Sequence, residues 1–407
     1  MANSAITEGV RALNENLIGG AYPALALNRI DETERAKTAV VVYGVLENYY
    51  RIKYILESLY TRPPKAEVKT LLYVGVYAIE YMKMPGYAAV NECVELTKKT
   101  VGIGDSGFVN AILKRVTRRE YTLPSAGDKA LEVEFNLPIW MIKTVKKQYP
   151  KAYKKILSKE RALHIRLRTG VSEDVLEGVK IIKKTSVGYF VETGDKLSRL
   201  FDEGKITYQG KNSIYAALAL GDVSGKKVLD VCAAPGGKSV LLAERGADVT
   251  SEELHAHRAE LIKEYAGRMG VSLTVNQGDA TKRNRDYEGK FDAVLCDVPC
   301  SGLGVLAKNK DAFLRKSPKD IIALKAVQIA ILDNASAYVK KGGRLVYSTC
   351  TVLREENGEV VSGFMKKHKE FALTPIENVP YGESGEVQMI KTDKFSDGFY
   401  IAAMVRK

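Results

Sequence analysis

The chain has 407 residues, with 62 lysines and arginines against 49 aspartates and glutamates, for a formal charge of +13 at pH 7. That length predicts two to three compact units and excludes a single small module, and the cationic excess favours a polyanionic partner. With 45% hydrophobic residues the chain can bury a core without disulfides, and its five cysteines (Cys93, Cys232, Cys296, Cys300 and Cys350) form no CxxC framework, so a reducing cytoplasm is the expected compartment.

The first residues, MANSAITEGVRALNENL, lack the basic start and apolar core of a signal peptide. Apolar stretches such as AVVVYGVL and LLYVGVYAI fall short of the roughly 20 residues that span a bilayer, so a soluble protein is expected. From residue 5 to about 119 the pattern is helical, with turn signals RPPK at 62–65 and MPG at 84–86. The segment between them is apolar at Val68, Leu71, Leu72, Val76, Ala78 and Ile79, the spacing of a helix face. An all-α bundle is predicted over 1–125, closed by the loop TLPSAGDK at 122–129. Residues 126–205 combine a basic helix with strand-like pieces, HIRLR and VGYFVE, and read as a small α+β connector.

The charge is concentrated, because residues 111–170 carry +10 of the +13. Lys143, Lys147, Lys151 and Lys155 recur every fourth residue, Arg161, Arg166 and Arg168 follow, and Trp140, Tyr149 and Tyr153 interrupt the run. Such a run is commonly a solvated helix face, but like charges at this density are better tolerated opposite a phosphate backbone, so a nucleic acid surface is expected here.

From residue 206 to 407 the rhythm becomes strand, helix, strand. KVLDVCA, ADVTSE, LTVNQGD, FDAVLCDVP and GRLVYSTCT alternate with helical segments at 237–244, 257–269 and 318–340, which predicts a parallel, doubly wound, Rossmann-like sheet. After a helix at 355–367, GEVQMIK and GFYIAAMV, joined by TDKFSD, are expected to pair antiparallel at the sheet edge.

The first of these strands runs into DVCAAPGGKS, a glycine-rich turn of the kind that brings backbone close to a ligand. A phosphate-binding GxxxxGK loop would place its first glycine on Cys232, and GxGxxG is absent because Ala233, Ala234 and Pro235 stand where it would begin. Gly236, Gly237 and Lys238 complete the turn. Glu252 and Glu253 end the second strand and Asp279 follows the third, and acids at successive strand ends fit an adenosine-containing ligand lying along that edge. The fourth strand ends in CDVPCSG, with Asp297 and Cys300, and the fifth in YSTCT, with Cys350. Two cysteines thus reach the ends of neighbouring strands. A zinc site from Cys296, Cys300 and Cys350 is disfavoured, since no histidine lies close in sequence and alternation does not force Cys296 outward.

DVCAAPGGKS, DVPCSG and YSTCTVLREEN, in this order, resemble the motifs of the RNA (cytosine-5) methyltransferases. The helical start, with FVNAILKRV at its end, resembles the NusB-type RNA-binding domain fused to the Fmu/Sun branch of that family. The resemblance implies a methyltransferase that uses S-adenosylmethionine on a cytosine of 16S ribosomal RNA. It places the nucleophile on Cys350, the release role on Cys300 and a cytosine contact on Asp297. Cofactor contacts fall on Cys232 through Lys238, on Asp297, on Asp279 at the adenine side, and on Glu253 at the ribose because it stands five residues before Arg258. Glu replaces the family's commoner Asp at that position, and GVLAKNKDAF, with Lys308, Lys310 and Asp311, replaces the usual basic pair and PD step, which bears on target choice. Competing readings are a transfer RNA substrate, a non-catalytic RNA-binding or antitermination factor, and a nucleotidase.

Overall fold

The computed structural model describes residues 4–82, 84–306, 313–314 and 316–407. Lys308, Lys310 and Asp311 lie outside the described residues. The chain forms two compact units. The first runs to Thr144 and includes residues 313, 314 and 316, and the second holds the described residues of 145–306 and 317–407.

In the first unit the helices Ser4–Leu17, Glu32–Glu47, Ala66–Glu80, Gly86–Thr100 and Ile103–Thr117 pack around one core that includes Ile6, Val41, Leu71, Leu72, Val76 and Leu113. Helix Ala66–Glu80 is buried on most of its surface, as its continuous apolar run requires. It approaches helix Glu32–Glu47 so closely that a Cβ at Gly44 would fall 1.9 Å from the Tyr77 ring. The bundle does not stop at residue 125. Helix Gly127–Phe135 joins it, because Asn136, in a left-handed conformation (φ 52°), accepts from Tyr50 N (3.0 Å) and donates to Leu46 O (2.8 Å), and Glu132 binds the Tyr54 hydroxyl. Leu314 packs on the bundle core, and Lys316 O accepts from Trp140 Nε1 (3.2 Å).

The second unit contains two sheets. Strands β1 (Leu163–Leu167), β2 (Ile181–Thr185), β3 (Gly188–Val191) and β4 (Ile206–Tyr208) form an antiparallel sheet in the order β2-β3-β1-β4. The boundary expected at 205 therefore moves, since β4 pairs with β1 and belongs to the small sheet. The larger sheet comprises β5 (Lys227–Asp230), β6 (Asp248–Glu253), β7 (Thr274–Gln277), β8 (Phe291–Asp297), β9 (Val339–Thr349), β10 (Phe371–Leu373), β11 (Glu386–Met389) and β12 (Phe399–Arg406), in the order β10-β12-β9-β8-β5-β6-β7 with β11 also paired to β12. β5 through β9 are mutually parallel, as the alternation of strand and helix predicted. β11 and β12 pair antiparallel, but β12 is not an edge strand: it lies between β9 and β10, which suits its six consecutive buried residues. Helix Pro318–Tyr338 is long and apolar enough to cross a bilayer by composition, and it lies on β8 and β9 with Ile331, Leu332 and Ala335 in the core.

The basic run is less uniform than its sequence implies. Lys146, Lys147, Lys151 and Lys155 are exposed, whereas Lys143 pairs with Asp128 (2.5 Å). Arg166 is 4% exposed and forks onto Glu244 (2.7 and 3.1 Å), because it lies on β1 with its side chain turned into the interior. It is a structural cation and is removed from the expected RNA surface. Tyr149 is likewise committed, its hydroxyl donating to Val352 O (2.7 Å). Removing one partner of a buried ion pair leaves the other uncompensated, so Arg166→Ala is expected to lower unfolding stability by about 3–5 kcal/mol. Denaturant unfolding measures this loss; a shift under about 1 kcal/mol contradicts the assignment.

Candidate active site at the switch point of the large sheet

Strand order reverses between β5 and β8, and ligands of open parallel sheets bind outside the carboxyl ends of the strands at such a point. The glycine-rich turn leaves β5 here. Asp230, at the end of β5, is 1% exposed and accepts from Ser239 Oγ (2.7 Å), which ties the strand end to the helix Gly237–Glu244. Burial pushes its carboxyl up to about 6, partly offset by the Ser239 hydrogen bond. Cys232 is half-buried, and burial raises its thiol well above the ordinary range. Ala233 N donates to Glu252 O (3.0 Å), and Ala234 O accepts from Arg258 (3.2 Å), so the turn is held by the end of β6 and the helix behind it. Pro235 precedes Gly236, whose φ of 105° and 3.2 Å clearance from Ile262 Cα admit only glycine without strain. Gly237 opens the helix.

Glu253 is 4% exposed, and its Oε1 accepts from His255 N and Arg258, both at 3.2 Å. Glu252 is also buried, and burial raises its carboxyl; a Cβ on Gly278 would fall 2.6 Å from its side chain. Asp279 is held by Thr281 through N (3.0 Å) and Oγ1 (2.6 Å), which lowers its carboxyl below the usual range, and it lines a 620 Å³ cavity with Glu252, Asn276, Gly278 and Tyr287.

Asp297 ends β8. Its two oxygens are engaged separately, Oδ1 by Ser348 Oγ (2.6 Å) from the facing position on β9 and Oδ2 by the Lys238 ammonium. Burial opposes the charge on Lys238, but Asp297 and Asp230 outweigh it and raise the lysine pKa. Just beyond, Cys300 Sγ lies 3.2 Å from Cys350 Sγ. The hydrogen bond to Cys350, with burial, raises the Cys300 thiol well above its ordinary value. Cys296 is fully buried among apolar side chains on the other side of β8 and is apart from this pair. Among the described residues no group of three histidine, cysteine or acidic side chains is placed to hold a metal.

The expected residues thus gather at one edge of one sheet. Sequence reasoning missed Ser348, Ser301, Gln328, Glu356 and Asn357, all buried polar groups around the thiol loops. For Ser348, Glu356 and Asn357 the signal was present in YSTCTVLREEN, where polar residues follow a buried strand.

Residues 217–405 match the family described as 16S rRNA methyltransferase RsmB/F, and residues 4–118 match the NusB family. A probable ribosomal RNA small subunit methyltransferase B of Bacillus subtilis (strain 168) is 33% identical, over 93% of this chain and 92% of the relative. This chain belongs to the RsmB/F methyltransferase family. The fold of PH0851, a solved structure, is shared over 99% of this chain and 98% of that one, with 23% identity and a TM-score of 0.80. NSun6 from Pyrococcus horikoshii, solved with SFG, matches over 65% of this chain and 97% of its own, with 20% identity and a TM-score of 0.57. RsmB/F methyltransferases use S-adenosylmethionine, and the residues present fit it: the glycine turn leaves β5 at the reversal of strand order, the buried carboxylates Glu252 and Glu253 end β6, and the half-buried Asp279 follows β7.

Asp230 also links the turn to pH. A carboxyl raised from 3.8 in the unfolded chain to about 6 in the folded one contributes stability that is complete below about pH 4 and lost as pH rises through about 6. Relative to Asp230→Asn, the wild-type unfolding free energy is expected to fall by about 3 kcal/mol between about pH 4 and pH 7. A difference that stays flat over that range, measured by denaturant titration at each pH, contradicts this reading.

Proposed function

We infer that this RsmB/F methyltransferase methylates carbon 5 of a cytosine in 16S ribosomal RNA through a covalent adduct of Cys350 with carbon 6. The observation that carries the residue assignment is the 3.2 Å approach of two thiols beside Asp297, at the ends of adjacent parallel strands next to the glycine turn. S-adenosylmethionine, when bound, supplies an electrophilic methyl group. The turn from Cys232 to Lys238, with Glu253 at the ribose, Asp279 at the adenine and Asp297 beside them, would hold it.

Carbon 5 of cytosine is a poor nucleophile. Addition of the Cys350 thiolate to carbon 6 breaks the 5,6 double bond and turns carbon 5 into an enamine carbon that can take the methyl group. Asp297 is positioned to serve ring N3, by hydrogen bonding or by proton donation, as charge develops there, and Lys238 and Ser348 fix its orientation. After transfer the carbon 5 proton must leave as the Cys350–carbon 6 bond breaks, which restores the double bond and regenerates the thiolate. Cys300 is the group in reach for that step: while Cys350 is a neutral thioether, Cys300 can give up its proton to solvent, and its thiolate then takes the carbon 5 proton as Cys350 departs.

Two thiolates 3.2 Å apart repel, so the pair accommodates one negative charge at a time. The hydrogen bond to Cys350, with burial, raises the Cys300 thiol, and the place of Cys350 in the TC motif after β9 gives it the attacking role. The target base has to leave its stack to reach them, so the substrate is single-stranded or locally opened RNA. The exposed lysines Lys147, Lys151 and Lys155 face solvent beside this machinery: Gln148, the residue after Lys147, donates to Glu355 (2.7 Å) just after the Cys350 loop. They are proposed to hold the RNA backbone, in the cytoplasm where assembling ribosomal subunits are found.

Cys350→Ala is expected to abolish label transfer from methyl-labelled S-adenosylmethionine to 16S RNA, and Cys300→Ala to accumulate RNA covalently bound to protein on denaturing gels. Normal methylation by the first variant contradicts the nucleophile assignment, and turnover without adduct in the second contradicts the release role. Replacing Lys147, Lys151 and Lys155 by alanine should reduce the slope of log affinity against log salt by about 2–3, since each phosphate contact contributes roughly 0.7–0.9. Arg166→Ala should leave that slope unchanged. An unaltered slope in the triple variant returns those lysines to an ordinary solvated surface.

A further inference from the structure

Two adjacent buried residues after β9 meet the two thiol loops separately. Glu356 ends the turn Arg354–Glu356 and is 0% exposed. Its Oε1 accepts from Ser301 N (2.8 Å) and from Gln328 Nε2 (3.0 Å), and the same Gln328 amide donates to Pro299 O (3.0 Å). The peptide groups on both sides of Cys300 are held in this way. Asn357 does the equivalent for Cys350. Its Oδ1 accepts from Thr349 Oγ1 (2.6 Å), and its Nδ2 donates to Thr351 O (3.1 Å), one residue before and one after the thiol. Ser301 Oγ and Thr351 Oγ1, 2.7 Å apart, join the two grips, and the Tyr347 hydroxyl fixes the Glu356 carbonyl (2.6 Å).

Simple space filling does not account for this set. Glu356 Oε2 and Gln328 Oε1 are buried with no hydrogen-bond partner among the described residues, and apolar side chains of similar size would fill the same volume without that desolvation cost. What apolar side chains would not do is set the orientation of two loops that approach each other to 3.2 Å.

We propose that Glu356 and Asn357 are positioning residues with divided duties, Glu356 together with Gln328 holding Cys300 for release and Asn357 holding Cys350 for addition. The proposal rests on the assignment of Cys350 as nucleophile and Cys300 as release thiol. Glu356 and Gln328 act through the peptide groups around Cys300, and Asn357 acts through the Thr349 hydroxyl and the Thr351 carbonyl around Cys350. The division predicts a kinetic separation, because a thiol displaced from its working geometry slows only the step it performs.

Single-turnover reactions with 16S ribosomal RNA transcript and labelled S-adenosylmethionine, quenched at intervals and run on denaturing gels, follow formation and decay of the protein–RNA adduct. Glu356→Ala should form adduct at a rate close to wild type and release it slower by on the order of tenfold or more, and Asn357→Ala should show the reverse pattern. Glu356→Gln, which keeps an oxygen acceptor for Ser301 N, should restore most of the release rate. Gln328→Met keeps the Glu356 carboxylate and its bond from Ser301 N and removes the amide's contacts to Pro299 O and to Glu356, so it should slow release to a smaller extent, and it carries the test if Glu356→Ala fails to fold. Formation and decay changing in common proportion, alongside a lowered unfolding midpoint, would mean a purely structural role and would overturn the proposal. Cys300→Ala and Cys350→Ala run in parallel separate the two failures. If they do not give persistent adduct and no adduct respectively, the underlying assignment fails; if they do and the positioning variants show no separation, only the present inference fails.

Discussion

The parallel pairing of β8 with β9 is the constraint on which the chemistry of this protein depends. Asp297 faces Ser348 in that register, and the next few residues of each strand carry the two thiols to within 3.2 Å of each other. Residues 300 and 350 meet only because both strands run the same way, with helix Pro318–Tyr338 crossing back between them. A slip of one residue would turn each functional side chain to the opposite face. The buried network around the loops, from Gln328 through Glu356 to Asn357, acts against such a slip at the strand ends, where the ladder itself no longer does so.

The glycine turn after β5 obeys the same geometry. It leaves the sheet at the reversal of strand order, so a ligand held there, as proposed, would lie at the edge where the thiols stand. Lys238 connects the two regions. It belongs to the turn, yet its ammonium pairs with Asp297 at the end of the neighbouring strand. The turn proposed to hold the cofactor and the carboxylate proposed to contact the base are therefore coupled by one ion pair.

Much of this was legible in the sequence, and for identifiable reasons. Helix Gly237–Glu244 and the parallel strands followed from the alternation of β-branched runs with helical segments, and the site residues followed from their position at strand ends. What was not legible depended on long-range packing. That Arg166 is an interior cation required knowing that β1 places Glu244 behind it. That Gly127–Phe135 belongs to the bundle required the left-handed Asn136, which binds backbone 86 and 90 residues away. The central place of β12 could not be read from its local pattern either, since an antiparallel partner on each side is a property of the sheet. The same holds for Glu356, which reads in sequence as one of a pair of surface acids and is the more buried of the two.

The central claim is that Cys350, and not Cys300, attacks carbon 6 of a cytosine in 16S ribosomal RNA. Its most direct test is identification of the covalent link itself. RNA carrying 5-fluorocytosine retains a carbon 5 substituent that cannot leave as a proton, so the methylated adduct cannot break down. After nuclease and protease digestion, mass spectrometry should find a cytosine-derived mass on the peptide containing Cys350 and an unmodified Cys300. Attachment at Cys300, or methylation of the substituted RNA with neither cysteine modified, would contradict the account.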